Sequence, residues 1–256
     1  MRGKQFSLHF DPVGDVLAAA RSCEAAVFLE AYGNTAQQWR DEYGSYDAAS
    51  VFITILDPAD DAVAACRLIL PNRTGLKSLV DMQQDPWLVD ANHSAAAAGM
   101  SPAATWDVAT VAVRRGAAGA GVLSAALYHG IVAATRANHL SWVVMIMDAR
   151  ARRLLSMLNL ETHVLPGTMA APYLGSTASI PIFANVNHMM DGQRRLNPDG
   201  NRMIEHGVGL DAISLPDETG FVVNARALAV PADFVPRSVG ADRGRRLAAF
   251  WPPLTA

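Results

Sequence analysis

Hydrophobic positions along the 256-residue chain change period several times, and each change predicts an element. Between residues 14 and 32, Val16, Leu17, Ala20, Cys23, Val27 and Phe28 recur at helical spacing, and Gly33-Asn34 supplies a stop. A short helix is expected around Gln37 to Arg40. Alternation then takes over. Residues 50–57 read as a strand, with Val51, Ile53 and Ile55 interleaved with Phe52 and Thr54. Turn residues at 57–61 lead into a second strand at 62–70, ended by Pro71, so the two predict an antiparallel hairpin. Residues 76–100 read as helix in pieces, broken near Pro86. A strand at 105–113, a glycine-rich turn at 114–121 and a long helix at 122–138 follow. Residues 140–147 are continuously apolar, the mark of a strand buried on both faces. A helix at 149–158 and a last core strand at 180–186 complete the series. Beyond about residue 190 the pattern weakens. A turn at 197–200 and a strand at 221–230 are expected, and Pro231, Pro236, Pro252 and Pro253 punctuate the end. The chain therefore divides into a domain over 1–189 and a C-terminal extension over 190–256, packed on it or partly disordered.

Composition narrows the partners. Apolar residues make up 51% of the chain and the formal net charge is −3. Such a balance gives no general attraction to nucleic acid or to an anionic membrane. The basic clusters, Arg152-Arg153 and Arg243 to Arg246, are too short to form a nucleic-acid stripe. Two cysteines, Cys23 and Cys66, fit a reducing compartment better than a disulfide framework. Nothing resembling a signal peptide follows Met1, and no apolar run reaches the ~18 residues of a membrane helix. A cytoplasmic location is the expectation. The seven histidines show no metal-ligand spacing, and His129 and His139 read as structural. Cys66 lies in an apolar strand without a neighbouring base, so it reads as core.

The turn between the strand at 105–113 and the long helix carries the chemistry. It reads Gly116-x-x-Gly119-x-Gly121 and is preceded by Arg114 and Arg115. The first turn of a helix has backbone N–H groups without partners, and with the helix dipole they attract phosphate. Glycines allow close approach, and the arginines can pair with phosphate oxygens. A Walker loop would need Lys-Ser/Thr after its last glycine, where Val122 stands. A dinucleotide fingerprint would have the glycine spacings reversed. Coenzyme A or phosphopantetheine fits the order of elements best. A helix start made of small residues for packing alone is the bland alternative.

The ordered set of elements resembles the GNAT acyltransferases, in which Gln/Arg-x-x-Gly-x-Gly/Ala after the fourth strand wraps the coenzyme pyrophosphate. Gly119 and Gly121 match, and Gly116 takes the first position. Within that superfamily the chain is similar to the acyl-homoserine-lactone and N-acyl amino acid synthases over about residues 20–186. The matching residues are Val27-Phe28, Trp39, Tyr46-Asp47, the Arg67-Leu68-Ile69-Leu70-Pro71 run and Trp106-Asp107-Val108-Ala109-Thr110. Departures occur where the synthases carry a first-helix Arg (here Glu24), an acid (here Gly44) and a fourth-strand Arg (here Thr110). Leu155 stands where many GNAT enzymes place a thiolate-protonating Tyr. These departures imply an acyltransferase acting on another amine.

The resemblance implies an α/β fold, with a mixed, mostly antiparallel sheet flanked by helices. It implies acyl transfer from an acyl-CoA, or from an acyl carrier protein, to a small-molecule amine, by direct attack and without a metal. Acyl transfer needs a deprotonated amine, and a carboxylate beside it can take the proton. Asp107, the acid of the strand leading into the loop, is the candidate base. Trp39, Asp47 and Arg67 are candidates for the acceptor pocket. Backbone groups of Val111 and Val113, with Arg114, Arg115, Gly116, Gly119 and Gly121, are candidates for the donor site. The resemblance places an oxyanion site at a bulge near Val111–Val113. If the donor is carrier-borne, Arg114 and Arg115 face the carrier's acidic helix. A non-catalytic acyl-CoA-binding module of the same fold is the rival from another class, and a nicotinamide oxidoreductase is a second enzymatic rival.

Overall fold

A computed structural model describes residues 5–224. Of the expected strand at 221–230, Phe221 ends a 3-10 turn (Glu218–Phe221) and residues 222–224 form no strand, while its remainder, the Arg243 to Arg246 cluster and the rest of residues 225–256 lie outside the described residues. At its centre is a mixed sheet of β1 (Phe6–Phe10), β2 (Ser50–Leu56), β3 (Ala62–Ile69), β4 (Thr105–Val113), β5 (Trp142–Asp148), β6 (His163–Val164), β7 (Ala171–Tyr173), β8 (Ser176–Asn185) and β9 (Ile213–Ser214). Its order is β6-β8-β5-β4-β3-β2-β1-β9, with β7 also on β8. The β4–β5 and β1–β9 pairs are parallel and the others antiparallel.

The β2–β3 hairpin forms where alternation predicted it, and β4 spans the expected residues. The helix α1 (Gly14–Tyr32) ends at Gly33, whose φ of 74° closes it in the left-handed conformation that favours glycine. The helix α2 (Ala36–Tyr43) opens on a capping box between Thr35 and Gln38. It is followed by α3 (Lys77–Asp81), α4 (Ala91–Ala97), α5 (Ala120–Ala137) and α6 (Ala149–Met157). Past β8 lie α7 (Val186–Leu196) and α8 (Pro198–His206), across and beyond residue 190, where the periodicity weakens.

Strand alternation sorts the helices onto two faces. On one, Ile53, Cys66, Leu68, Trp106, Val108, Val143 and Met145 pack with Leu123, Leu127 and Ile131 of α5 and with Met190 and Ile204 of α7 and α8. On the other, Phe52 and Ala65 lie under Ala20 and Cys23 of α1, Ile69 lies under Trp39 and Tyr43 of α2, and Val144 lies under Leu79 of α3. The residues that matter for function concentrate on this second face.

Two irregularities in β4 shape it. The strand pairs with β5 at Thr105↔Trp142, Trp106↔Val143 and Asp107↔Val144 and then stops, although β4 runs on to Val113 and β5 to Asp148. The two parallel strands part after Asp107 and leave unpaired backbone facing the gap. Across its other edge, Arg67 pairs with Thr110 but Leu68 with Val108, so Ala109 is an extra residue, a bulge. The bulge turns Asp107, Ala109 and Thr110 all toward α1, α2 and α3.

Candidate active site

Four features meet around the parting of β4 and β5. The first is the loop at the open end of β4. Gly116 and Gly119 have φ of 75° and 73°, a conformation glycine adopts at little cost. A Cβ on Gly116, Gly119 or Gly121 would meet nothing within 4 Å, so these glycines are not packed against the rest of the protein. Gly119 caps α5 with no side-chain hydrogen bond to the first turn. Val122 and Leu123 donate to the Gly119 carbonyl, so the N–H groups this exposed helix start can offer are those before Val122. Arg114 and Arg115 are exposed, and Arg115 makes a loose 3.4 Å contact with Glu30. Val111 and Val113 sit on the stretch of β4 beyond the bulge, half-buried.

The second feature is a buried network on the same face. Glu24 of α1 is fully buried, and Arg67 of β3 is 3% exposed. Arg67 grips Glu24 with both arms of its guanidinium, Nε to Oε1 at 2.9 Å and Nη2 to Oε2 at 2.6 Å. Its Nη1 donates to Asp47 at 3.1 Å and to Ser50 at 3.2 Å. Trp39 Nε1 and the Thr110 hydroxyl complete the carboxylate of Glu24, at 3.1 and 2.6 Å. Tyr43 and Phe52 sandwich the Arg67 guanidinium, 4.6 and 4.7 Å from its carbon. Trp39, Asp47 and Arg67 are therefore brought together in one network with Glu24 and Thr110, two of the three positions at which the sequence departs from the synthases.

The third feature was not legible in the sequence. The ammonium of Lys77, 3% exposed, is held by Glu42 at 2.9 Å, by Asp81 and by the Tyr173 hydroxyl at 3.0 Å. The rings of Tyr43 and Tyr173 lie 5.1 and 5.7 Å away. Burial by itself lowers the proton affinity of Lys77, but Asp81, Tyr173 and Glu42 outweigh it and raise it well above that of a free lysine. Tyr43 joins the two networks. Its ring lies against both cations, and its hydroxyl lies 3.5 Å from the carbonyl of the bulged Ala109.

The fourth is Asp107, at the last paired position before the gap. It is fully buried, and its carboxylate accepts from the backbone N–H of Ser78 at 2.5 Å and from the Ser78 hydroxyl at 2.8 Å. Burial pushes its pKa up to about 7. The hydrogen bonds from Ser78 and the charge of Lys77 oppose the rise, and Asp81 adds to it.

Other candidates fall elsewhere. Leu155 lies in the core on the α5 face. Burial raises the thiol pKa of Cys66. His129 Nδ1 lies 2.9 Å from the carbonyl of Ile204, and burial lowers its proton affinity. Among the described residues no group of three His, Cys, Asp or Glu is placed to hold a metal, and no helix is long and apolar enough to cross a membrane.

No protein-family profile and no curated relative matches the chain. Solved structures do. The AHL synthase LasI superposes over 80% of this chain and 96% of its own with a TM-score of 0.55 at 12% identity. FeeM, an N-acyl amino acid synthase from uncultured soil microbes, covers 73% of this chain and 94% of its own, with a TM-score of 0.56 at 11% identity. BjaI, a CoA-dependent acyl-homoserine lactone synthase solved with MTA, covers 87% and 99%, with a TM-score of 0.55 at 16% identity. At these identities the likeness is one of architecture. The parted strands and the bulge lie within a fold shared with the solved acyl-homoserine-lactone synthases LasI and BjaI and the N-acyl amino acid synthase FeeM.

Proposed function

We propose that this protein is an N-acyltransferase that moves an acyl group from a pantetheine thioester to a small-molecule amine. The observation that carries the reading is the parting of β4 from β5 after Asp107, with an uncapped, glycine-lined helix start at its open end. A pantetheine arm is an extended, amide-bearing chain, and unpaired strand edges are its natural partner. The pyrophosphate or phosphate would lie on the N–H groups at Gly119 to Gly121, with Arg114 and Arg115 beside it. The N–H groups of Val111 and Val113, past the bulge, would meet the arm and polarise the thioester carbonyl. Coenzyme A and a carrier protein present the same arm, and a carrier's acidic helix would meet Arg114 and Arg115.

In this scheme Asp107 is the base. A carboxylate with a pKa near 7 holds a proton more readily than an ordinary one, which suits it to take one from an attacking amine. Its oxygens face Ser78, so the proton reaches it through the Ser78 hydroxyl, 2.8 Å away. The amine attacks the carbonyl carbon, the carbon–sulfur bond breaks and the sulfur leaves as a thiolate that takes a proton from solvent, with no acyl-enzyme formed. Trp39, Asp47 and Arg67 form the acceptor-side wall.

Coenzyme A should raise the melting temperature, because a ligand that binds only the folded state stabilises it. Gly119→Val, which forces a branched side chain into a left-handed position, should abolish that shift in a protein that remains folded. A full shift in the variant would remove the loop from the donor site.

A further inference from the structure

We infer that Glu24 is a built-in carboxylate that fills the Arg67 fork, so that the site accepts amines carrying no carboxylate of their own. The inference rests on the acyltransferase reading and names the acceptor class within it. A guanidinium fork is the usual device for holding a substrate carboxylate, because its two parallel N–H groups match two carboxylate oxygens. On the acceptor-side face that device is already occupied from within the protein. Glu24 takes Nε and Nη2, Asp47 and Ser50 take Nη1, and Tyr43 and Phe52 cover the plane.

The other buried cation is equally committed. Lys77 has three protons to donate and three oxygen partners, on Glu42, Asp81 and Tyr173. Arg21, 42% exposed, has its Nη2 3.5 Å from Asp47, and its Nε makes no hydrogen bond. Arg73 is exposed on the loop before α3, outside both networks. Within the two buried networks Glu24, Glu42, Asp47, Asp81 and Asp107 outnumber Arg21, Arg67 and Lys77, while Arg114 reaches this face from the glycine loop at Cys23. An incoming carboxylate would find both buried cations spent and would pay for its own desolvation beside acids of like charge. An ammonium or neutral amine suffers neither cost.

The test compares matched acceptors that differ only by a carboxylate: tyramine with L-tyrosine, 3-methylbutylamine with L-leucine, and cadaverine with L-lysine. Thiol release from acetyl-CoA and octanoyl-CoA is followed for each. Decarboxylated acceptors should be used with kcat/KM at least about tenfold higher. Amino acids used as well as or better than their partners would overturn the inference and leave the acyltransferase reading intact. Release stimulated by neither class, in a protein that binds coenzyme A, would overturn both. Glu24→Ala supplies a readout without turnover. It leaves the Arg67 fork empty, so formate should raise the variant's melting temperature above the value in equimolar chloride and should not do so for the native protein. Identical behaviour of the two folded proteins in formate would show that the fork takes no external carboxylate, and the inference would fail there too.

Discussion

Replacing Asp107 by Asn separates the chemical role of this residue from its structural one, and the structure sets the size of both effects. The carboxylate is buried without a cation in contact, and its partners are the N–H and hydroxyl of Ser78. An Asn can keep both contacts, with its oxygen on the N–H and its amide donating to the hydroxyl, which serves as donor or acceptor. The fold should survive. The native carboxyl group, by contrast, ionises at about pH 7 when folded and near 4 when unfolded. A raised carboxyl pKa favours the protonated folded state, so its contribution is intact below about pH 4 and is lost as pH rises toward and past 7. Displacement over that interval corresponds to about 4 kcal/mol. Asn carries no such term. Urea unfolding of both proteins between pH 4 and 8 isolates Asp107 and its coupling to Asp81 and Lys77, because groups that do not interact with it cancel in the difference. The native protein should lose up to about 4 kcal/mol relative to Asp107→Asn across this range. Acyl transfer at neutral pH should fall by about a hundred- to ten-thousand-fold in the variant, while coenzyme A binding is preserved. Stability curves that run parallel from pH 4 to 8 would refute the buried, unpaired placement of this carboxylate. A variant within a few-fold of native activity would refute its role as base.

Other outcomes follow from the same geometry. Ser78→Ala removes both the relaying hydroxyl and a hydrogen bond that favours ionised Asp107, so the rate should fall at every pH and the rising limb of the pH–rate profile should move to higher pH; an unchanged plateau rate would exclude Ser78 from the proton path. Arg67→Met leaves Glu24 buried without its cation and should cost about 3–5 kcal/mol in urea unfolding, most of it recovered when Glu24→Gln is added. Gly175 has a φ of 87°, and a Cβ there would lie 2.5 Å from the Tyr32 carbonyl, so Gly175→Ala should lower the melting temperature by several degrees where Gly121→Ala, in open helix, does not.

Much of this architecture is legible in the sequence, for a local reason. Alternation in 50–57 and 62–70, the apolar run at 140–147 and the helical stripe at 14–32 are short-range patterns, and each formed its element. The glycine loop announced itself because positive φ restricts residue choice at Gly116 and Gly119. What escaped is what depends on distant partners. Glu24 reads as a departure from a family pattern, yet it sits between Cys23 and Val27 on the buried stripe, a charge where apolar spacing asks for none. Its partner Arg67 is 43 residues away. Lys77 and Tyr173 are 96 residues apart, and nothing local marks either. The β4 bulge is invisible for the same reason, because it is a mismatch in pairing between Arg67-Leu68 and Val108–Thr110. The helices α7 and α8 were obscured by polar residues such as Gln193 and Asn201, which are buried and bonded to the Leu158 and Met190 carbonyls.

Catalysis itself is tested most directly by incubating the protein with an acyl-CoA and a carboxylate-free amine and counting products. Free thiol is titrated as it forms, and the acylated amine is weighed by mass spectrometry. The account predicts one amide per thiol released, at a rate that depends on the amine and collapses in Asp107→Asn. Tight binding of the acyl-CoA with no amine-dependent thiol release would contradict it, and would make this fold a thioester-binding module rather than an enzyme.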